Sequence, residues 1–266
     1  MRFVLILPLF LLISGCALFN AQPEIIIGVT LPLSGSDADY GQRVLTGINL
    51  KCSELNEQAG KDEPKVSLRV IDNKSTSLGS AEAIKSLTTW YKTPLIIGAY
   101  SSSSTFAMRP EAEKYQVPVL APTATADNLT LGNEYIFRTC FTDATQGRCL
   151  GSYAYHQQKM RKIAILVDAD EENAQNRYLG FEVKKSFTEC GGEVVLMDGF
   201  YNHESTFNRQ LRNIVEAKVD GICFLADAQN AVRFIKESRI FGFDGFIFGG
   251  DGWDEENIYT DLGTNP

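Results

Sequence analysis

Apolar runs and amphipathic stretches alternate along most of this chain. From residue 24 the continuous apolar run EIIIGVTL precedes YGQRVLTGINLKCSELNEQAG, in which apolar residues recur at helical spacing. The alternation continues with the strand-like segments KVSLRVID, PLIIGAY and VPVLAP, which are separated by the helical patterns GSAEAIKSLTTWY and STFAMRPEAEKY. Continuous apolar strands between amphipathic helices predict a parallel sheet with helices on both faces.

A second series of the same kind starts after YIFRTCFTDATQG. The helical pattern QGRCLGSYAYHQQK leads into four apolar strands alternating with helices, and these strands are KIAILVD, GEVVLMD, DGICFLAD and GFIFGG. The fold class is therefore predicted to be α/β, with two doubly wound parallel-sheet lobes. Lobe 1 is expected at residues 24–140 and lobe 2 at residues 141–266, with a hinge near residues 138–143.

The composition is that of an ordinary globular protein. Of the 266 residues, 44% are hydrophobic and 22% are charged, so disorder is not expected. The 25 Lys and Arg residues are outnumbered by 33 acidic residues, which gives a net charge of -8. Because no basic surface is offered to phosphates, nucleic acid is not an expected partner.

The first residues have the pattern of an export signal. Met1 and Arg2 precede an apolar segment at residues 3–13, and Ile13-Ser14-Gly15-Cys16 follows. This ending resembles the bacterial lipobox, which predicts a signal peptide at residues 1–15, lipidation of Cys16 and a linker at residues 16–23. The lipid would be the protein's contact with the membrane, in the periplasm or at the cell surface. A plain secretory signal with an incidental cysteine, or a buried N-terminal strand, are the alternatives.

Five further cysteines follow Cys16, and they are Cys52, Cys140, Cys149, Cys190 and Cys223. Cys52 and Cys223 lie within apolar patterns and are expected to be small buried hydrophobic residues. Cys140 and Cys149 are candidates for a disulfide across a strand-to-helix joint, a question that depends on geometry. The spacing contains no C-x-x-C or His-bearing zinc motif, so no metal and no cofactor is expected.

The stretch GAYSSSSTFAM places several hydroxyl residues between an apolar run and an amphipathic one. Ser102 and Ser103 are expected where the helix begins, so that hydroxyls and unpaired amide groups face the space beyond the end of the strand. Such a helix start attracts a carboxylate, and open parallel sheets place their ligands at this edge. A flexible linker, or a helix cap that binds nothing, are the alternatives.

Several of these segments together resemble the type I periplasmic binding proteins, in particular the Leu/Ile/Val-binding family of ABC importers. The matching pieces are IGVTLPLSG with YGQ, IIGAYSSSST, VPVLAPTATADNLT, YIFRTCFTDATQG, KIAILVD and FGGDGW. They occur in family order and cover most of residues 24–256. The resemblance implies an extracytoplasmic solute-binding protein whose two lobes close over an amino acid or similar small molecule. It also implies an ABC transporter permease as partner.

The resemblance also implies roles for individual residues. Thr123, Ala124 and Thr125 match positions that hold the carboxylate of the ligand, and Tyr40 matches an aromatic residue beside it. Asp251 matches the acid that pairs with the ammonium group of the ligand. Tyr100 and Trp253 are candidates for the wall of the pocket, and packing of Trp253 at the hinge is an alternative.

Two departures from the family pattern affect these expectations. Where the family often has a Tyr-Gly pair after KIAILVD, this chain has Asn173-Ala174, so Asn173 is a candidate wall residue and the ligand side chain is expected to be more polar. Family members also continue well past FGGDGW. The C-terminal part of lobe 1 is therefore expected to be missing, with apolar surface exposed on that lobe.

Two other functional classes are alternatives to transport. An α/β enzyme is disfavoured because His156 and His203 are the only histidines and neither stands beside a nucleophile, and because no phosphate-binding or nucleophile-elbow motif follows a strand. A ligand-sensing domain of the same fold, which reports to a partner, stays open as an alternative.

Overall fold

The computed structural model describes residues 23–170, 174–255 and 258–263, and these residues form two lobes. Lobe 1 contains three helices and five strands. In chain order they are β1 (Glu24–Leu31), α1 (Ala38–Gln58), β2 (Lys65–Asp72), α2 (Ser77–Thr89), β3 (Ile96–Ile97), α3 (Ser102–Tyr115), β4 (Val119–Ala121) and β5 (Ile136–Arg138). All pairings in this sheet are parallel, and the strand order is β2-β1-β3-β4-β5.

Lobe 2 begins with a helix and has a four-stranded sheet. Its elements are α4 (Asp143–His156), β6 (Lys162–Asp168), α5 (Ala174–Glu189), β7 (Glu193–Phe200), α6 (Asn208–Ala217), β8 (Gly221–Leu225), α7 (Ala228–Ile240), β9 (Phe246–Phe248) and α8 (Ile258–Leu262). The strand order is β7-β6-β8-β9, again with parallel pairing throughout. The predicted α/β class with two doubly wound lobes is confirmed.

The core of lobe 1 lies on one face of its sheet. Ile84 and Leu87 of α2 and Met108 of α3 are fully buried against the strands. On the opposite side, α1 buries only Gly41 within its described residues, and Leu50 of that helix is 62% exposed. Apolar side chains on α1 therefore contribute little to the core of lobe 1.

Lobe 2 has a core on each face of its sheet. On one face, Phe224 of β8 stacks on Phe234 of α7 with ring centroids 4.3 Å apart, and Phe200 and Phe207 complete the aromatic cluster. On the other face, α4 and α5 cover the strands, with Phe187 fully buried. Helices on both faces explain why β6 and β8 are buried along almost their whole length.

The contact between α4 and α5 depends on glycine. A Cβ atom at Gly147 would lie 2.4 Å from Cβ of Glu182, and one at Gly151 would lie 2.7 Å from the backbone nitrogen of Phe187. Side chains at these two positions would push the helices apart. The two glycines in the segment QGRCLG are therefore a packing requirement of lobe 2.

Most predicted elements are observed, with shifts at their ends. The segment PLIIGAY pairs as a strand only at Ile96–Ile97, and α6 starts at Asn208 instead of at the preceding Ser-Thr-Phe. Short 3-10 turns at Asp127–Leu129 and Asp251–Trp253 were not predicted. The lobe boundaries 24–140 and 141–266 remain predictions, although the lobe 1 sheet ends at Arg138 and α4 begins at Asp143.

The five cysteines among the described residues are all free thiols, so Cys140 and Cys149 are not joined. Cys223 is fully buried, as predicted, whereas Cys52 is only partly buried because it lies on α1. The predicted signal peptide, Cys16 and Asn173 lie outside the described residues. Within the described residues, no helix combines the length and the apolar character needed to cross a membrane.

Candidate functional site

The hydroxyl-rich stretch after β3 forms the start of α3. Ser101 is the N-cap, with an extended backbone and a side-chain oxygen that accepts a hydrogen bond from the Ser104 amide at 3.2 Å. The capping residue is thus Ser101, one position before the predicted Ser102. Ser102 and Ser103 lie in the first turn, where backbone amides have no intrahelical acceptor. These amides are available to a ligand at the carboxyl edge of the sheet.

The loop after β4 is joined to this helix start by two hydrogen bonds. The Ser102 hydroxyl accepts from the Ala126 amide at 3.2 Å, and the Thr123 hydroxyl donates to the Tyr100 carbonyl at 2.6 Å. Ser102 acts here as an acceptor, so its own hydroxyl proton is left for another acceptor. The two loops therefore form one rigid wall of lobe 1.

The carbonyl groups of Ala124 and Thr125 are directed toward the segment that joins the two lobes. The Ala124 carbonyl accepts from Arg138 Nη1 and from Cys140 Sγ, both at 3.3 Å, and the Thr125 carbonyl accepts from the Asp143 amide at 3.0 Å. Ala124 and Thr125 are buried. The loop predicted to contact the ligand is thus fixed by the residues that connect the lobes.

The first turn of α4 makes two main-chain contacts with lobe 1. Besides the bond from the Asp143 amide, the Ala144 amide donates to Oδ2 of Asp127 at 3.0 Å. Thr142 caps the helix, with its hydroxyl accepting from the Thr145 amide at 3.2 Å. The start of lobe 2 is therefore held directly against the wall formed by residues 123–127.

Asp143 is an unusual group at this junction. Its side chain is only 3% exposed, and Oδ2 has no hydrogen-bond partner within the described residues. Burial raises the pKa of Asp143 to about 6, and the negative charges of Asp251 and Asp127 add to that effect. A hydrogen bond from the Thr125 side chain and the positive charge of Arg138 lower the pKa, but less strongly. Sequence reasoning missed this residue, although it lies in the quoted segment YIFRTCFTDATQG.

Asp251 approaches the same region from lobe 2. It is exposed and begins the 3-10 turn that follows β9, and its charge acts on both Tyr100 and Asp143. The preceding glycines allow close packing, since a Cβ atom at Gly249 would lie 2.2 Å from Cε2 of Trp253. Asp251 is thus placed where lobe 2 faces lobe 1.

Trp253 packs inward on lobe 2. Its ring centroid lies 6.4 Å from that of Phe224, and the side chain borders the aromatic core of that lobe. The side chain is partly exposed. Trp253 ends the 3-10 turn that begins at Asp251, and its role as a wall of the pocket or as packing at the hinge stays a prediction.

Two tyrosines of lobe 1 stack and reach lobe 2. The rings of Tyr40 and Tyr100 have centroids 5.2 Å apart and planes 17° apart, and the Arg43 guanidinium lies 4.8 Å from the Tyr40 ring centroid. The Tyr40 hydroxyl donates a hydrogen bond to Oε1 of Glu255. Sequence reasoning also missed Glu255, although the acidic run after GGDGW was a signal.

A polar network, likewise missed from the sequence, covers the carboxyl ends of the central strands of lobe 2. Nδ2 of Asn202 donates to Oδ2 of the fully buried Asp168 at 3.4 Å, and Nδ2 of Asn230 donates to Oδ1 of Asn202 at 2.8 Å. Asp227 caps α7 by accepting from the Asn230 amide at 2.7 Å. Asp168 and Asp227 are the last residues of the predicted strand segments KIAILVD and DGICFLAD, which is a signal that the sequence offered.

The structure gathers the predicted site residues around one junction. Tyr40, Tyr100 and Ser102 lie on lobe 1 with the loop of Thr123, Ala124 and Thr125, and Asp251 lies on lobe 2, while Ser103 is exposed beside Ser102. Asn173 lies outside the described residues. Within the part of the chain that is described, no group of three or more His, Cys, Asp or Glu residues is placed to hold a metal ion.

Comparison with known proteins identifies the family. A family model described as "Periplasmic binding protein" matches residues 24–260. "Leu/Ile/Val-binding protein homolog 1" of Brucella abortus is 26% identical over 235 residues, which is 88% of this chain and 62% of that protein. The chain therefore spans less than two thirds of the length of such relatives.

Solved structures agree with this result. The branched-chain amino acid transporter substrate-binding protein LivJ of Streptococcus pneumoniae, in complex with isoleucine, has a TM-score of 0.77 and 29% identity, covering 90% of this chain and 67% of that one. The leucine-binding protein LivK of Thermotoga maritima has a TM-score of 0.75 and 25% identity, with coverage of 90% and 67%. The chain belongs to the periplasmic binding protein family, and its fold is similar to that of the type I, branched-chain amino acid members.

Proposed function

We propose that this chain binds an amino acid, or a small solute with the same head group, between its two lobes. The observation that carries the proposal is that lobe 1 presents groups that bind an anion, while lobe 2 presents a carboxylate that binds a cation. Lobe 1 presents the first turn of α3, with Ser102 and Ser103, and lobe 2 presents the exposed carboxylate of Asp251. An α-amino acid carries a carboxylate and an ammonium group on adjacent atoms, and so matches both walls.

The carboxylate end of the ligand is assigned to lobe 1. The amides of the α3 first turn carry the positive end of the helix dipole, which favours an anion. The hydroxyl proton of Ser102 adds a donor on a wall that is already fixed by internal hydrogen bonds, including that from the Thr123 hydroxyl to the Tyr100 carbonyl. Because this wall is preorganised, a carboxylate binds without first ordering the loops.

The ammonium end of the ligand is assigned to Asp251. A carboxylate that accepts a charge-assisted hydrogen bond in a water-poor cleft binds an ammonium group and rejects neutral analogues. Since Asp251 belongs to lobe 2 and the α3 wall to lobe 1, a ligand that contacts both favours the closed arrangement of the lobes.

In a cell, the liganded protein is proposed to deliver its solute to the permease of an ABC transporter. The names of the relatives support this role, as two of the matched structures are described as transporter or amino-acid-binding components. Export and anchoring through a lipid on Cys16 remain proposals that rest on residues 1–16 of the sequence.

The test is thermal unfolding of the purified protein against a panel of the common amino acids and small carboxylates. A ligand present at about a hundred times its Kd adds about 2.7 kcal/mol to the free energy of unfolding. We expect a subset of amino acids to raise Tm. The change Asp251→Asn is expected to abolish the increase, whereas Asp244→Asn, at an exposed position in the turn before β9, should retain it.

Unchanged ligand stabilisation in Asp251→Asn would refute the assigned role of Asp251. A cooperative transition with no shift from any α-amino acid or carboxylate would refute the proposed ligand class.

A further inference from the structure

Two side chains at the start of α4 have buried oxygen atoms that no group within the described residues uses. Asp143 is 3% exposed, and its Oδ2 has no hydrogen-bond partner. Oε1 of Gln146 is also buried and without a partner, although the residue as a whole is partly exposed. Residues three positions apart are neighbours on one face of a helix. Since buried acceptors almost always receive a hydrogen bond, these two call for a donor from outside the chain.

Both acceptors lie beside the turn that carries Asp251. A Cβ atom at Gly250, the residue before Asp251, would lie 2.8 Å from Oε1 of Gln146, so this oxygen packs directly against the turn. Burial is the main cause of the raised pKa of Asp143, and among the surrounding charged groups Asp251 raises that pKa most strongly. The start of α4 and the Asp251 turn therefore bring three side-chain acceptors together.

The elements around this place supply no free donor or paired cation. Arg138 on β5 donates through Nη1 and Nη2 to main-chain carbonyls, and so does the thiol of Cys140. The Thr125 side chain hydrogen-bonds to Asp143 but leaves Oδ2 without a partner. Asp127, in the loop after β4, adds a further negative charge. The negative charge at the junction is therefore not fully compensated by the described groups.

A primary ammonium group suits these acceptors. It carries one positive charge and three N–H donors, which match the carboxylates of Asp143 and Asp251 and the amide oxygen of Gln146. Placed between the two carboxylates, it would offset their repulsion and the cost of burying an unpaired charge. A metal ion is disfavoured, because among the residues that the structure describes no group of three or more His, Cys, Asp or Glu is placed to hold one.

We propose that Asp143, together with Gln146, is a second receptor for the ammonium group of the ligand, which closure of the lobes places between Asp143 and Asp251. This inference rests on the proposed function, which assigns that group to Asp251 alone. The Asp143 amide donates to the Thr125 carbonyl at 3.0 Å, so the loop beside the proposed carboxylate subsite also positions Asp143. Neighbouring subsites on one wall suit the two groups that an α-amino acid carries on one carbon atom.

The first test measures affinity in variants. The probe is the amino acid that raises Tm most in the panel, and its binding is measured by isothermal titration calorimetry at pH 7.5. We expect Asp143→Asn to weaken binding by about ten-fold or more, because a buried charge pair is lost. Gln146→Met, which keeps the length of the side chain but not its acceptor, should cause a smaller loss. Asp244→Asn, at an exposed position, should bind as the parent does.

The second test uses the pH dependence of the parent and so does not depend on the folding of a variant. Because the pKa of Asp143 is about 6, lowering the pH from 7.5 to 5 protonates this group and removes its charge. We expect the affinity of the parent for the same amino acid to fall by up to about ten-fold over this range. Asp143→Asn should show a weaker dependence on pH.

Three outcomes are decisive against the inference. Parent-like affinity in Asp143→Asn, or an affinity of the parent that does not change with pH, would remove Asp143 from the ammonium subsite. A loss in Asp143→Asn with the pH profile of the parent would assign that loss to packing. Each of these leaves the proposed function intact, since Asp251→Asn tests it separately. If no amino acid raises Tm in the parent, the proposed function fails, and this inference fails with it.

Discussion

The two lobes bury their sheets differently, and the difference bears on how the cleft works. Lobe 2 has a hydrophobic core on each face of its sheet, whereas the fully buried residues of lobe 1 gather on the face covered by α2 and α3. Helix α1 buries only Gly41 within its described residues. Yet α1 carries Tyr40, whose ring is positioned by Tyr100 and Glu255. Lobe 2 therefore has the more fully covered sheet, and Tyr40 on α1 is held by one contact within lobe 1, to Tyr100, and one from lobe 2, to Glu255.

The largest expected effect contrasts a core residue of lobe 2 with an apolar residue of α1. Phe224 is fully buried and contacts four aromatic rings, so Phe224→Ala should reduce the free energy of unfolding by about 4 kcal/mol. Leu50→Ala, at a position 62% exposed, should change it by less than about 0.5 kcal/mol. Urea denaturation followed by circular dichroism measures both. A loss of unfolding free energy in Leu50→Ala comparable with that in Phe224→Ala would show that α1 is buried in solution and that the two lobes do not differ in this way.

The difference in burial between lobe 2 and lobe 1 also explains which elements the sequence predicts well. Strands buried on both faces, such as β6 and β8, are continuous apolar runs and are predicted closely. Strand β3 is observed at only two residues, because the pairing of PLIIGAY depends on its neighbours and not on its own composition. The helical spacing of apolar residues in α1 also does not show that almost none of them is fully buried.

The candidate site is predicted less completely. Hydroxyl residues at a helix start and an acid after a Gly-Gly strand end are local patterns, so the positions of Ser102 and Asp251 at strand ends follow from the sequence, and their roles in binding stay predictions. The cap at Ser101 differs by one residue because several serines suit it equally. Asp143 and Glu255 were missed because their importance comes from burial and from contacts made across the hinge. No local pattern contains that information.

The second effect concerns the junction between the lobes. The pKa of Asp143 is raised to about 6, so the folded protein binds this proton more tightly than the unfolded chain does. The stabilisation from Asp143 is therefore complete below about pH 4, its ordinary range, and is lost as the pH rises through about 6. Asp143→Asn lacks this titration, so from pH 4 to pH 7.5 it should gain up to about 3 kcal/mol relative to the parent. Denaturant titrations at the two pH values measure this difference, and parallel pH profiles would contradict it.

The smallest expected effects come from two glycine-to-alanine changes, one in each lobe, which should change the free energy of unfolding in opposite directions. At Gly151 a Cβ atom would meet the Phe187 backbone nitrogen at 2.7 Å, so Gly151→Ala must displace α4 from α5 and should destabilise lobe 2 by about 2 kcal/mol. At Gly47, apart from its chain neighbours and the backbone of its own helix, no described atom lies within 4 Å of an added Cβ. Gly47→Ala should therefore stabilise α1 by about 0.5 to 1 kcal/mol through helix propensity. The denaturation midpoints of the two variants show the direction of each stability change. Destabilisation by Gly47→Ala would mean that another surface packs on α1 and that this helix is covered as fully as those of lobe 2.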